Sequence, residues 1–158
     1  MTRPSLIFSI CLFTYTFFVS TLGYGYVNSS LTSALIIGTN TNGDTLFLCR
    51  TSLFNEEQVG ITKAGSNQCT ITYEGKIYAL TRYTIPNQSE FGHYIWASTT
   101  DKAIKVGQDS QGKSLFLCQS NLNGHFLPGV TWAGYNYCNI IYQNKEVITV
   151  ITHVLSTM

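Results

Sequence analysis

The sequence predicts an all-β protein in which two tandem antiparallel repeats pack on each other with approximate twofold symmetry. The segment TLFLCRT at 45–51 recurs as SLFLCQS at 114–120. Short apolar runs alternate with turns rich in Gly and Asn, which is typical of strands joined by hairpins. No segment of about twelve residues shows the apolar period of a helix.

The duplication extends well beyond these seven residues. An offset of 69 residues aligns the two copies without a gap from 34 to 76. Identical pairs include Ala34/Ala103, Gly38/Gly107, Gly43/Gly112, Leu53/Leu122, Gly60/Gly129, Thr62/Thr131, Gly65/Gly134, Ile71/Ile140 and Tyr73/Tyr142. Two copies are too few for an open solenoid, which needs at least about three. We therefore predict repeats at 24–90 and 91–158 that share an interface around a pseudo-twofold axis.

Each copy contains turn signals at the same offsets. Asn42-Gly43 separates two apolar runs, which is the strongest short hairpin signal. Glu74-Gly75 marks a second turn, and the second copy has Gln111-Gly112 and Gln143-Asn144 at the equivalent places. The segment 82–94, with a proline, a glycine and several polar residues, is predicted to connect the repeats.

The N-terminus is predicted to be a secretory signal peptide at residues 1–23. One Arg precedes an apolar run that ends in small residues, which is the pattern of such a peptide. An uncleaved membrane anchor is the alternative, but Ser and Thr interrupt the run. We therefore expect a secreted or periplasmic protein that has no membrane contact once this segment is removed. Cleavage of this peptide would also remove Cys11 from the mature chain.

Four cysteines then remain, and an oxidising compartment favours their pairing. Four cysteines allow three connectivities. Cys49 and Cys118 are each followed twenty residues later by a further cysteine, Cys69 and Cys138. If each repeat is a folding unit, the bridges are Cys49–Cys69 and Cys118–Cys138.

Composition argues against several classes of function. The chain has a net charge of +1 and only 11% charged residues, so no basic field would attract nucleic acid. The spacing of His93, His125 and His153 matches no zinc pattern. No nucleophile motif of the Gly-x-Ser-x-Gly type occurs. We therefore expect neither an enzyme nor a metal or other cofactor.

The repeat resembles the DM-nine (DM9) repeat family. The second copy carries the features of that pattern: Trp96, Ala103-Ile104, the run from Gly107 to Gly112, the strand from Leu115 to Cys118, Pro128-Gly129, Cys138, Glu146 and Val154-Leu155. The first copy carries Ala34, Gly38, Gly43, the strand from Leu46 to Arg50, Gly60 and Cys69. The likeness covers nearly the whole chain after the predicted signal peptide.

The resemblance implies a sugar site. Mannose-binding lectins of molluscs belong to that family, and the repeat accompanies pore-forming modules in natterin-like toxins. The lectins use the acid of Gly-x-Asp and the lysine of Pro-Gly-Lys to hold sugar hydroxyls. Here Asp109 matches the acid and Asn40 takes its place in the first copy, whereas Ile61 and Val130 occupy the lysine positions.

Trp132 and Lys63 complete the set of candidate sugar-binding residues. They occupy equivalent positions in the two copies. An aromatic ring offers a flat apolar platform for a sugar face. Lys63 lies two residues beyond Ile61 and would point the same way on a strand, so it could replace the family's lysine.

Two functions remain open. One is a secreted, non-catalytic, lectin-like protein that binds glycans of the mannose type, or glycosylated surfaces, alone or as a homodimer. The other is a secreted structural or protein-interaction module without a working sugar site.

Overall fold

The computed structural model describes residues 31–158 and has the predicted all-β architecture. The predicted signal peptide, Cys11 and residues 24–30 of the first repeat lie outside the described residues. The first repeat contains β1 (Ile36–Thr39), β2 (Thr45–Leu53), β3 (Glu56–Lys63), β4 (Cys69–Tyr73), β5 (Lys76–Leu80) and β6 (Tyr83–Thr84). The second contains β7 (Tyr94–Ala97), β8 (Lys105–Gln108), β9 (Ser114–Leu122), β10 (His125–Trp132), β11 (Tyr137–Tyr142), β12 (Lys145–Val150) and β13 (His153–Thr157). The helical elements within 31–158 are two 3₁₀ turns, Leu31–Ser33 and Gln88–Phe91.

Each repeat forms one antiparallel sheet. The first sheet has the order β1-β2-β3-β4-β5, and β6 also pairs with β2. The second has the order β12-β11-β10-β9-β13-β7, and β8 also pairs with β9. The 69-residue offset maps β1–β6 onto β8–β13, and the bulge between Ile36 and Gly38 recurs between Lys105 and Gly107. The two copies of the sequence therefore form sheets with the same strand pairing and register.

The predicted hairpin turns are present, and one further turn in each repeat was missed. Glu74 and Gly75 have φ of 49° and 74°, which is the left-handed pair of a type I′ turn. Residues 54–55 and 123–124 form equivalent tight turns between β2 and β3 and between β9 and β10. The Asn123-Gly124 dipeptide was the available signal for this turn in the second copy.

A hydrophobic core shared by both repeats confirms that they pack on each other. Its buried members are Leu35, Ile37, Leu46, Leu48 and Val59 from the first repeat and Phe91, Val106, Leu115, Leu117 and Leu155 from the second. Six of these residues form three pairs that are equivalent under the 69-residue offset, for example Leu48 and Leu117. Trp96 packs against the same core. Neither repeat alone could bury its half of this apolar surface.

The disulfides lie on the opposite side of the central strands. Alternation along β2 directs Leu48 into the shared core and Cys49 into a smaller cluster with Cys69 and Ile71. Both predicted bridges, Cys49–Cys69 and Cys118–Cys138, are present, each with a sequence separation of 20. A bridge across a loop of this length stabilises a fold by about 3 kcal/mol in the chain-entropy model.

Two equivalent glycines lie where one repeat approaches the other closely. A Cβ at Gly38 would lie 2.3 Å from the carbonyl oxygen of Phe126 and 3.0 Å from Cδ of Pro128. A Cβ at Gly107 would lie 3.0 Å from Cγ1 of Val59, the residue equivalent to Pro128. Strand β1 thus packs against β10 in the same way that β8 packs against β3. Equivalent contacts of this kind are expected when a pseudo-twofold axis relates the two repeats.

We expect Gly38→Ala to destabilise the protein much more than Gly107→Ala. The new methyl group at 38 would meet a backbone oxygen that cannot move without displacing β10, so the cost should reach about 3 kcal/mol. The methyl group at 107 meets a valine side chain that can shift, and the loss of unfolded-state freedom offsets part of its cost, so we expect a net change below about 1 kcal/mol. Urea unfolding of both variants measures the difference. Equal destabilisation would contradict the asymmetry of the interface.

Candidate functional site

Two clefts between the repeats are related by the pseudo-twofold axis. Cleft 1 has a volume of 210 Å³ and cleft 2 a volume of 320 Å³. The lining of cleft 1 includes Asn40, Ile61, Lys63, Leu127, Pro128 and Ile141. The lining of cleft 2 includes Gln58, Glu74, Asp109, Lys113, Trp132 and Glu146. Each cleft therefore takes one wall from each repeat.

Asp109 shapes the turn at the mouth of cleft 2. Its Oδ1 accepts hydrogen bonds from the backbone amides of Gln111 at 3.0 Å and Lys113 at 2.8 Å. Its Oδ2 lies 3.6 Å from Nζ of Lys113. Oδ1 thus stabilises the turn, and Oδ2 lies beside an ammonium group. A ligand hydroxyl could also donate a hydrogen bond to Oδ2.

The same hydrogen bonds keep Asp109 ionised. The bond from the Lys113 amide is the largest cause that lowers the pKa of Asp109 below its usual value of 3.8, and burial partly opposes it. A carboxyl whose pKa is lowered on folding stabilises the fold above its unfolded pKa and loses that effect as pH falls through the folded pKa. Asp109 is therefore an anion at neutral and mildly acidic pH.

Trp132 is covered on both faces of its ring. Tyr135 stacks on it with a centroid distance of 3.9 Å and an interplanar angle of 7°. Nζ of Lys113 lies 4.4 Å from the centroid, and because Tyr135 leaves no space for it on its own face, the ammonium lies on the other. A sugar could stack on Trp132 only after Lys113 moves away.

A chain of polar side chains extends the wall of cleft 2 beyond Trp132. The Tyr135 hydroxyl donates to Oδ1 of Asn139 at 2.9 Å, and Nδ2 of Asn139 donates to Oε1 of Glu146 at 2.6 Å. Burial, and then the nearby Glu146 charge, raises the pKa of Tyr135. Across the cleft, burial, followed by the charges of Glu56 and Glu74, raises the pKa of Tyr73. These tyrosines thus remain neutral hydrogen-bond donors.

In cleft 1 the same positions carry a different set of charges. Asn40 Oδ1 accepts from the amides of Asn42 and Asp44 at 3.0 and 2.9 Å, as Asp109 does in its own turn. Oδ2 of Asp44 accepts from Nζ of Lys63 at 2.6 Å, and this bond is the first cause that lowers the pKa of Asp44. Lys63 is therefore neutralised by a neighbour, and the rest of cleft 1 is largely apolar.

The structure groups the predicted site residues in two pairs. Asp109 and Trp132 line cleft 2, while Asn40 and Lys63 line cleft 1. The prediction missed Lys113 and Asp44, although the 69-residue offset aligns them with each other beside the predicted acid and amide. It also missed Gln58, Glu74 and Glu146. Gln58 and Glu74 come from the other repeat, so no local pattern could have joined them to Asp109.

Within residues 31–158, no three His, Cys, Asp or Glu side chains come close enough together to hold a metal ion. In the same part of the chain, no helix is long and apolar enough to cross a membrane.

Comparison with known families agrees with the architecture. The model of the DM9 repeat matches residues 40–149, more than half of the chain. The chain belongs to the DM9 repeat family. A comparison with curated proteins finds no match. In this DM9 repeat protein the two positions of the family's lysine face the two clefts, with Ile61 in cleft 1 and Val130 in cleft 2.

The two roles of Asp109 in this DM9 repeat protein can be separated by substitution. We expect Asp109→Asn to keep the melting temperature near that of the wild type, because Asn40 makes the same pair of backbone hydrogen bonds with an amide oxygen. Asp109→Ala should lower it measurably, because two amides lose their acceptor. Thermal unfolding by circular dichroism provides the measurement. A melting temperature for Asp109→Asn as low as that for Asp109→Ala would show that the charge, not the turn, sustains the fold.

Proposed function

We propose that this protein is a secreted, non-catalytic, lectin-like protein whose main carbohydrate site is cleft 2. The observation that carries the proposal is the convergence of an ionised carboxylate, Asp109, and an aromatic ring, Trp132, on one cleft. A carboxylate oxygen accepts hydrogen bonds from sugar hydroxyls, and such charge-assisted bonds are about twice as strong as neutral ones. The ring supplies flat apolar area for sugar C–H groups.

Binding requires a small rearrangement of Lys113. Its side chain is 44% exposed, so it can swing into solvent and free one face of Trp132. A cation–π contact at an exposed site contributes only about 0.5–1 kcal/mol. Stacking of a sugar on the freed ring can offset that loss.

Export is supported by the two disulfides, which form and persist in oxidising compartments. We propose that the mature chain acts outside the cell or in the periplasm on glycans or glycosylated surfaces. The resemblance to mollusc lectins makes mannose-type glycans the first class to test. Because neither cleft has the family's lysine, the affinity for a single sugar should be about millimolar. Useful avidity would then need both clefts, or a homodimer, on a multivalent surface.

Substitution of the two central residues tests this proposal. In a glycan array and in titration calorimetry, Asp109→Asn and Trp132→Ala should each abolish measurable binding of a glycan that the wild type binds. Asp109→Asn keeps the turn acceptor, so its loss of binding would reflect the missing charge. Asp101→Asn, at an acid outside the lining of cleft 2, serves as the control and should bind normally. Unchanged binding by Asp109→Asn would place the site elsewhere.

One observation favours a second function, a secreted structural or protein-interaction module. Apolar residues, Ile61 and Val130, line the clefts at the positions where the family's lectins carry lysine. A module of this kind would bind no glycan in the array, with its fold intact.

Val130→Lys distinguishes a weakened sugar site from one that is lost. Val130 is half-buried beside the shared core, and a lysine can lay its aliphatic stem there while its ammonium reaches cleft 2. If cleft 2 is a sugar site, the variant should bind mannose-type glycans about tenfold more tightly, which corresponds to one added charge-assisted hydrogen bond. Circular dichroism controls for misfolding. A folded variant that still binds no glycan would favour the interaction module.

A further inference from the structure

We propose that cleft 2 prefers a sugar unit with a free, protonated amine over a neutral hexose. The inference rests on the proposed function, because it names the sugar class for the same cleft. It depends on three features of cleft 2: its charge, the ammonium group that it already holds, and a glutamine oxygen that accepts no hydrogen bond from residues 31–158.

The first feature is an excess of negative charge. Three carboxylates line cleft 2, Glu74, Asp109 and Glu146, and Lys113 is the one cation among its lining residues. Asp109, Glu146 and Lys113 of the second repeat sum to a charge of −1, and packing of the repeats adds Glu74 from the first repeat to give −2. Unbalanced charge in a concave site raises the local concentration of ligands with the opposite sign.

The second feature is the position of the Lys113 ammonium. Its Nζ lies 4.4 Å from the Trp132 centroid and 3.6 Å from Oδ2 of Asp109. An aromatic face and a carboxylate together attract an ammonium group, because both are negative where it approaches. Lys113 thus marks a position that a ligand amine could occupy, with the same charge and the same three N–H donors.

The third feature is an acceptor that no described residue satisfies. Gln58 lines cleft 2 and is only 6% exposed. Its Nε2 donates to Oε2 of Glu56 at 3.3 Å, whereas its Oε1 receives no hydrogen bond from residues 31–158. This oxygen can accept a hydrogen bond from a ligand that enters cleft 2. Cleft 2 therefore offers acceptors that suit a ligand rich in N–H and O–H donors.

Cleft 1 shows that these features are specific to one side of the molecule. Under the 69-residue offset, Leu127 is the residue equivalent to Gln58, Gln143 is equivalent to Glu74, and Ile77 is equivalent to Glu146. The cation of cleft 1, Lys63, is paired with Asp44 at 2.6 Å. The two clefts share a backbone design, and only cleft 2 combines acidic side chains with an aromatic ring.

A pair of oligosaccharides that differ only in acetylation tests the inference. The probes are a β-1,4-linked glucosamine pentamer and the same pentamer with every amine acetylated, together with a mannose pentamer. Titration at pH 6 keeps the free amines protonated, because their pKa resembles that of an α-amino group, about 7.7–8.0. We expect the amine form to bind about tenfold more tightly than either neutral pentamer, and the difference to shrink as salt is added.

Four variants identify the contacts responsible. Glu74→Gln and Glu146→Gln should each remove most of the preference. Gln is tolerated at 74, since the equivalent turn position is Gln143 with φ of 50°. Glu57→Gln is the matched control, because Glu57 is 66% exposed and does not line cleft 2. Lys113→Gln removes the internal competitor and should raise the affinity for the amine form severalfold.

The outcomes separate the inference from the proposed function. Equal affinity for all three pentamers would overturn the preference for an amine and leave the carbohydrate site standing. No binding of any pentamer, by a folded protein, would overturn both. A pentalysine peptide that binds as tightly as the amine pentamer would overturn the assignment to a sugar. A preference that survives both Glu→Gln variants would overturn the role of the carboxylates.

Discussion

The close packing of two equivalent strands against the opposite repeat is the constraint on which the rest of the structure depends. Gly38 leaves β1 close enough to β10 for the backbone of Phe126 to occupy the space of a side chain. Gln119 reinforces this approach, since its Nε2 donates to the carbonyl of Ile37 in the other repeat at 2.9 Å. The shared core forms behind this contact, and the two clefts open on either side of it. Without it, neither Asp109 nor Asn40 would face a second wall.

Duplication followed by divergence explains why the two clefts differ. The turn that carries Asn40 and the turn that carries Asp109 use the same pair of backbone hydrogen bonds, so the scaffold tolerates either residue. The neighbouring cation differs in position, since it is Lys63 on β3 in the first repeat and Lys113 beside the turn in the second. As a consequence, cleft 1 contains a Lys63–Asp44 ion pair beside apolar walls, whereas cleft 2 contains an ammonium group between a carboxylate and an aromatic ring.

Most of the fold could be predicted because its determinants are local or repeated. The Asn42-Gly43 and Glu74-Gly75 turns are encoded in two residues each, and the alternation along β2 places Leu48 and Cys49 on opposite faces. The tight turn at Phe54-Asn55 was missed because Phe is an unusual residue at positive φ, here 52°. Trp132 lines cleft 2 together with Asp109, but its stacking on Tyr135 and its cover by Lys113 depend on side-chain rotamers that the strand pattern does not specify.

The sequence by itself determined the number of repeats and their register, because an offset of 69 residues carries β1–β6 and their turns onto β8–β13. The same offset pairs Cys49 with Cys69 and Cys118 with Cys138 once each repeat is taken as a folding unit. Only the tertiary structure decided which residues form a site. Gln58 and Glu74 face Asp109 across cleft 2 because packing of the shared core brings the walls of different repeats together. Burial of apolar surface drives that packing without regard to direction, and the close approach at Gly38 orients it. The shape of the packed interface, and not the position in the chain, thus determines which residues lie beside a cleft residue.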